Sequence, residues 1–268
     1  MCTKFDNIGF LSSELDEIEG RIRQLYPVYI DWIYKTNQFC QELQYEFTVT
    51  TNNSDELVAA TLYARIVATY QSFILIVRKG MLHQTEMLLR CIVECVFQLV
   101  AISKNKDYSN KIIGSEQYQC KHTYKNLIRF HNRHNPQHKD LDRFRGELKQ
   151  IEENILKHQL KKLSVYQTAE DAGLGDWYDV VYGDLSNTIH ASIRSLEETL
   201  VVNHNKIEAV KSEPEINNLG HLFLIALQAM NYSIHAISSV LHVNSSVFSE
   251  ELEEAIKVLG KKEKNSRY

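Results

Sequence analysis

The chain has 268 residues, 44% of them hydrophobic, which is enough for one sizeable core and makes a single domain the default reading. Only 3 Pro and 10 Gly punctuate that length, so the elements between turns must be long, which favours an all-α fold over a sandwich or barrel. A net charge of −4 and a pI near 6.3 exclude a surface shaped as a whole for nucleic acid or anionic membrane; any such contact must be local.

In chain order, Ser12 or Ser13 can cap a first helix whose Leu15, Ile18, Ile22 and Leu25 share a stripe. Pro27 kinks it before it resumes through Trp32, Ile33 and Leu43. "TNNSDE" reads as a loop ending in a cap, and from Ser54 a second helix carries Leu62, Ile66, Phe73 and Val77 to a close at Gly80. A third helix, Met81 to Ser103, follows at once, so the two should form an antiparallel hairpin. Two polar helices come next, Glu116 to His131 and Leu141 to Lys162, parted by "HNRHNPQHKD", in which Pro136 bars continuation.

After the "GLGDW" break a helix is expected from Asp176 to Val202, then a polar connection and a long helix from Ser212 to His242 with Pro214 in its first turn. Ser249 should cap a last helix that stops at Gly260. The expected architecture is a single all-α domain over residues 1–268, a bundle of about eight or nine helices. It divides into a kinked N-terminal helix (1–50), a central hairpin (51–105), a basic helical pair (116–162), C-terminal helices (176–260) and a frayed tail (261–268). The Met81–Ser103 and Asp176–Val202 helices are expected near its centre.

Five cysteines, Cys2, Cys40, Cys91, Cys95 and Cys120, lack zinc-finger spacing and read as reduced core thiols. The N-terminus has no basic segment followed by an apolar one, so no secretory signal is expected and the protein is placed in the cytoplasm. The most apolar stretches, around Phe73 to Val77 and Leu222 to Leu241, are interrupted by Arg78 and Lys79 and by Gln228, Asn231 and His235. Neither reads as a membrane span, and no membrane partner is expected.

In "MLLRCIVECVFQLVA" the polar residues Arg90, Glu94 and Gln98 recur four apart and extend back to Glu86. The line is too narrow for a solvent face, so the helix should be central, with Arg90 held between Glu86 and Glu94. Two readings stand: an ion pair that fixes helix register, or a pocket wall where Arg90 holds an anion. In "YGDLSNTIHASIRSL", Tyr182, Ser186 and His190 recur at one-turn spacing beside an apolar seam of Tyr178, Leu185, Ile189 and Leu200. One-turn spacing seldom aligns a hydroxyl with an imidazole, so Ser186 and His190 are read as core-edge residues rather than a nucleophile and base. A further expectation is that Tyr182 and His190 meet Arg90 and Glu94 across a helix interface.

The segments Tyr70 to Leu99 and Trp177 to Ser192 together resemble an all-helical prokaryotic family catalogued as domain of unknown function 5677. The resemblance is carried by Tyr70, Ser72, Arg78, Gly80, Glu86, Arg90 and Glu94, and by the Tyr-x-x-Leu-Ser-x-x-x-His pattern of Tyr182, Leu185, Ser186 and His190. It covers about half the chain, mainly Leu57 to Lys104 and Trp177 to Val201, and departs in the basic middle section and the C-terminal helix. It implies no activity, but it does imply that the two polar lines belong to one site.

From Lys121 to Lys162 eleven Lys or Arg face five acids, a net of +6 on an acidic chain. Tyr118, Tyr124 and Phe130 are interleaved, a composition that suits RNA phosphates with base stacking and equally a solvated helical pair. Within it, Arg129 with His134 and Arg133 with His138 make two Arg-x4-His pairs, similar to the motif of HEPN-superfamily ribonucleases, helical dimers often found as toxins and defence effectors. In such a pair His takes the proton of a ribose 2′-hydroxyl while Arg stabilises charge on the phosphate. His131, His134 and His138 have zinc-like spacing, but Pro136 interrupts the helix that would align them, so neither metal nor cofactor is expected.

Two functions follow as expectations. The first is a HEPN-like, RNA-directed nuclease or toxin-type effector, working through Arg129, Arg133, His134 and His138 or through a pocket of Arg90, Glu94, Tyr182, Ser186 and His190. The second is a non-enzymatic helical protein that forms a homo-oligomer or binds a protein partner.

Overall fold

The computed structural model describes residues 4–189, 197, 199–204, 206–210 and 213–266. The described residues are predominantly helical, with one small two-stranded sheet, and the fold is all-α. A short helix α1 (Lys4–Ile8) and a tight turn lead into α2 (Leu15–Leu25). Pro27 does more than kink that helix: it opens a new one, α3 (Pro27–Gln44), at the first-turn position where a missing N–H costs nothing. Asn53 caps α4 (Ser54–Val77), its side chain accepting from the N–H groups of Asp55 and Glu56.

Gly80 takes φ +68°, as a helix-closing left-handed residue does, and α5 (Leu82–Lys104) returns along α4 as the expected hairpin. A Cβ on Gly80 would sit 2.7 Å from the carbonyl oxygen of Glu215, whose N–H donates to the Gly80 carbonyl at 2.9 Å. The polar middle section folds as α6 (Tyr108–His134) and α7 (Leu141–Lys157), antiparallel to each other. Asp55 fastens the start of α6 by accepting from the N–H groups of Asp107 (2.7 Å) and Ser109 (2.9 Å). Beyond Gly114 no residue of α6 is buried, so its outer part meets solvent except where α7 covers it.

The largest correction lies between 157 and 220. Leu141 to Lys162 is not one helix: α7 ends at Lys157, and Ser164 caps a further helix α8 (Val165–Asp171) by accepting from the Gln167 N–H at 3.0 Å. Asp176 to Val202 is not one helix either. A first turn (Gly175–Trp177), a π-helical turn (Tyr178–Tyr182) and an α-helical run (Gly183–Ile189) form a composite α9. Leu200 then lies in a strand, β1 (Leu200–Asn203), paired with β2 (Lys206–Val210), so it belongs to no helical seam. The valines here branch at Cβ, which favours strand over helix once no core holds a helical register.

Ser212, the expected start of the long C-terminal helix, lies outside the described residues; α10 runs Gly220–Leu241. Pro214 and Glu215 are instead laid along the α4–α5 turn at Gly80. The last helix, α11 (Ser246–Ser266), begins before Ser249 because Asn244 accepts from the Ser246 N–H at 3.1 Å. It continues through Gly260 because nothing there asks for a left-handed residue and Glu263 still meets Tyr29, at 3.4 Å. The frayed tail is therefore helical as far as Ser266.

The core is built around α5 and α10, through Leu89, Ile92, Val96 and Phe97 on one and Phe223, Leu227, Met230 and Ile234 on the other. Thus α10, not α9, is the second central helix; α9 packs on α5 through Tyr182 and Leu185. By length and composition α4 and α10 could each cross a membrane, and α10 has most of its apolar window inside the core.

Candidate functional site

The line along α5 and the line along α9 meet. Arg90 reaches across the interface with Nε donating to Ser186 Oγ (3.2 Å) and Nη2 donating to the Tyr182 hydroxyl (2.5 Å). The same Nη2 lies 2.9 Å from Glu94 Oε1, and the Tyr182 hydroxyl donates to that oxygen at 2.5 Å. The guanidinium carbon stands 4.9 Å from the Tyr182 ring centroid, and the Tyr178 ring stacks on Tyr182 with centroids 5.2 Å apart. Tyr178 and Tyr182 are the first and last residues of the π turn. Glu86, the other expected partner of Arg90, has its carboxylate 3.7 Å from His83 Nδ1. His190 lies outside the described residues.

Burial sets the chemistry of this cluster. Tyr182 is 7% exposed, and loss of solvent together with the adjoining Glu94 carboxylate pushes its phenol up to about 12, against a smaller opposing pull from Arg90. Near neutrality the phenol is therefore a donor and no base. Ser186 receives a cation's hydrogen bond, which does not draw off its proton as a nucleophile requires. To hold an anion, Arg90 would have to give up bonds it already makes to three side chains.

Glu94 also lines a cleft between α5, α6 and the lead into α8, shared with Gln98, Glu116, Gln119 and Lys162. Only Glu94 and Gln98 of these were singled out by sequence. The Ser-x-x-Gln pattern at Ser164 was the available signal that a new helix, and hence a cleft edge, begins there.

The second set sits at the outer end of the α6–α7 hairpin, apart from the first. Salt bridges consume the acids along the hairpin: Glu152 takes Lys121 (3.0 Å) and Lys125 (3.1 Å), which hold its carboxyl below the usual range, while Asp142 takes Arg145 (3.1 Å) and Glu153 faces Lys149 (3.8 Å). Arg129, Arg133 and Lys139 are exposed and make no ion pair among the described residues. Phe130, 56% exposed, stands in sequence between Arg129 and Arg133 on α6, with the His134 ring 4.8 Å away. His138 is half-buried: its ring lies 3.9 Å from that of His131, tilted by 34°, and stacks on Phe144 at 6.2 Å, and its Nδ1 accepts the Asp140 N–H at 3.2 Å.

Arg129 and His134 are five residues apart on one helix, so they point about 140° apart. Arg133 stands in the last turn of α6 and His138 beyond its end. Among the described residues no three His, Cys, Asp or Glu side chains come together as a metal site.

Residues 56–208 match the family described as "Family of unknown function (DUF5677)". The chain belongs to this family. The matched region holds α5, α9 and the α6–α7 hairpin, so both polar sets are family territory, whereas α10 and α11 lie beyond it. No curated protein and no solved structure matches the chain. The family carries no assigned activity, and the likeness to Arg–His ribonucleases rests on the motif alone.

Proposed function

We propose that this chain binds single-stranded RNA through the outer end of the α6–α7 hairpin, as a helical binding protein and not as a nuclease. The observation that carries this reading is the set of uncommitted, exposed cations in this stretch of chain, Arg129, Arg133 and Lys139, together with the exposed Phe130 and its neighbour His134. Guanidinium and ammonium groups neutralise phosphates, and an exposed ring gives an unpaired base a stacking platform, the two contacts that single strands offer whatever their sequence. Strand cleavage is the less favoured reading because Arg129 and His134 diverge. His138, with Nδ1 already accepting a backbone proton, presents an Nε2–H donor and no free lone pair to a 2′-hydroxyl.

One observation favours cleavage as a second reading: His138 lies in the short connection after α6, whose last turn carries Arg133. Fluorescence anisotropy with a labelled single-stranded RNA, run beside gel analysis of the same RNA in chelator, separates the two. Binding weakened about tenfold in Phe130→Ala and in Arg129→Ala/Arg133→Ala, with the RNA intact, is the expected result. Cleavage abolished by His138→Ala would establish the nuclease reading, and no binding by the parent at low salt would remove both.

A further inference from the structure

Among the described residues β1 and β2 pair only with each other, which leaves the outer edge of each strand unpaired. Two strands alone are marginal in water, and an open edge is a template for a further strand. The apolar side chains are also uncovered: Val202 is 58% and Ile207 64% exposed.

The register says which edge is suited to what. Asn203 pairs with Lys206 next to the turn and Val202 with Ile207; the register then shifts, Val201 pairing with Ala209, so that Glu208 is the extra residue of a bulge. In an antiparallel ladder, hydrogen-bonded and non-hydrogen-bonded pairs alternate. The pair closing a two-residue turn bonds inward, so at the next position the N–H and C=O of Ile207 point out from the free edge of β2. Lys206 and Glu208 flank Ile207 and are exposed, and Asn203, the cross-strand partner of Lys206, donates to Glu208 at 2.8 Å, which sets the two charges on one face despite the bulge.

We propose that two copies of this chain join through β2, antiparallel about Ile207, into a four-stranded sheet ordered β1–β2–β2–β1. With the two-fold axis at Ile207, that residue exchanges both backbone hydrogen bonds with its counterpart. Lys206 of each copy then stands opposite Glu208 of the other, in the closer, non-hydrogen-bonded pairing. The segment is thus self-complementary in charge, as an isologous interface requires. A shift of the axis to Glu208 would set carboxylate against carboxylate and turn the outward backbone groups out of phase. On the opposite face the axis gathers Val202 and Ile207 of both copies into one apolar patch, which gives a reason for their exposure in a single chain.

The test is sedimentation velocity on the full chain across about 1 to 100 µM, for the parent, Lys206→Glu, Glu208→Lys, and an equimolar mixture of the two variants. The parent should dimerise. Each variant turns both cross-strand attractions into repulsions and should raise the dissociation constant about tenfold or more. The mixture should recover the parent value, because an all-acidic strand then faces an all-basic one. Circular dichroism and melting temperatures equal to the parent's will show that each variant is folded. A parent that stays monomeric overturns the proposal, as does a dimer indifferent to either substitution or singles that mixing fails to rescue.

Discussion

Arg90 and Arg133 carry the same guanidinium into opposite settings. Arg90 is 23% exposed and spends its donors on Ser186, Tyr182 and Glu94, all within its own chain. Arg133 stands exposed at the end of α6 with no ion pair among the described residues. A charge whose partners are built in lowers the energy of one packing arrangement; a charge left open is available to whatever arrives. The residues that most resemble an active site by pattern are thus the ones committed to joining α5 to α9, and the plainer basic segment is the one left free to act.

Substitution should move the two regions in different observables. The largest effect is expected for Arg90→Met, which strands the partly buried Glu94 carboxylate and the Tyr182 hydroxyl. Urea unfolding should show about 2 kcal/mol lost, with RNA binding unchanged. At the tip the converse holds: Arg129→Ala/Arg133→Ala should leave stability within about 0.5 kcal/mol yet weaken RNA binding about tenfold. The same change should flatten the slope of log K against log salt by about 1.4, for two lost phosphate contacts on a single strand. If Arg90→Met abolished RNA binding in a folded protein, the separation of the two regions would be wrong.

Tyr182→Phe keeps the ring beside Arg90 and Tyr178 but removes the hydroxyl, and about 1 kcal/mol should be lost. Near neutrality the smallest effect is that of proton uptake. The Tyr182 phenol is raised in the folded state to about 12 from an ordinary value near 10, so the folded protein holds that proton longer than the unfolded chain does. Its contribution is complete below pH 10 and is lost as the pH climbs toward about 12. Ultraviolet titration should therefore show a late-ionising tyrosine that moves earlier in Glu94→Gln, since that change removes a neighbouring negative charge.

The helical class, the α4–α5 hairpin and its Gly80 turn were legible because each rests on local chemistry: a 3.6-residue stripe, a cap, a left-handed glycine. That Arg90, Glu94, Tyr182 and Ser186 meet was readable as two lines of matched spacing on two apolar helices. The π turn was not, since one extra residue in a turn leaves no mark on composition. The stretch after Ile189 misled because Leu200, Val201 and Val202 continue an apolar count whose period is set by nothing once the core is left behind. The cleft beside Glu94 was hidden for another reason: Glu116, Gln119 and Lys162 are distant in sequence and come together only through the path of α6, α7 and α8.

Gly80 closes the α4–α5 hairpin, yet the backbone it presses against belongs to Glu215, beyond the last family-matched residue, and α10 beyond that covers α5. The stretch recognisable by similarity is therefore not a unit that folds by itself. Expressed alone, residues 56–208 would present the α5 surface meant for α10 to water and to one another, and would be recovered as aggregate unless the C-terminal third were supplied.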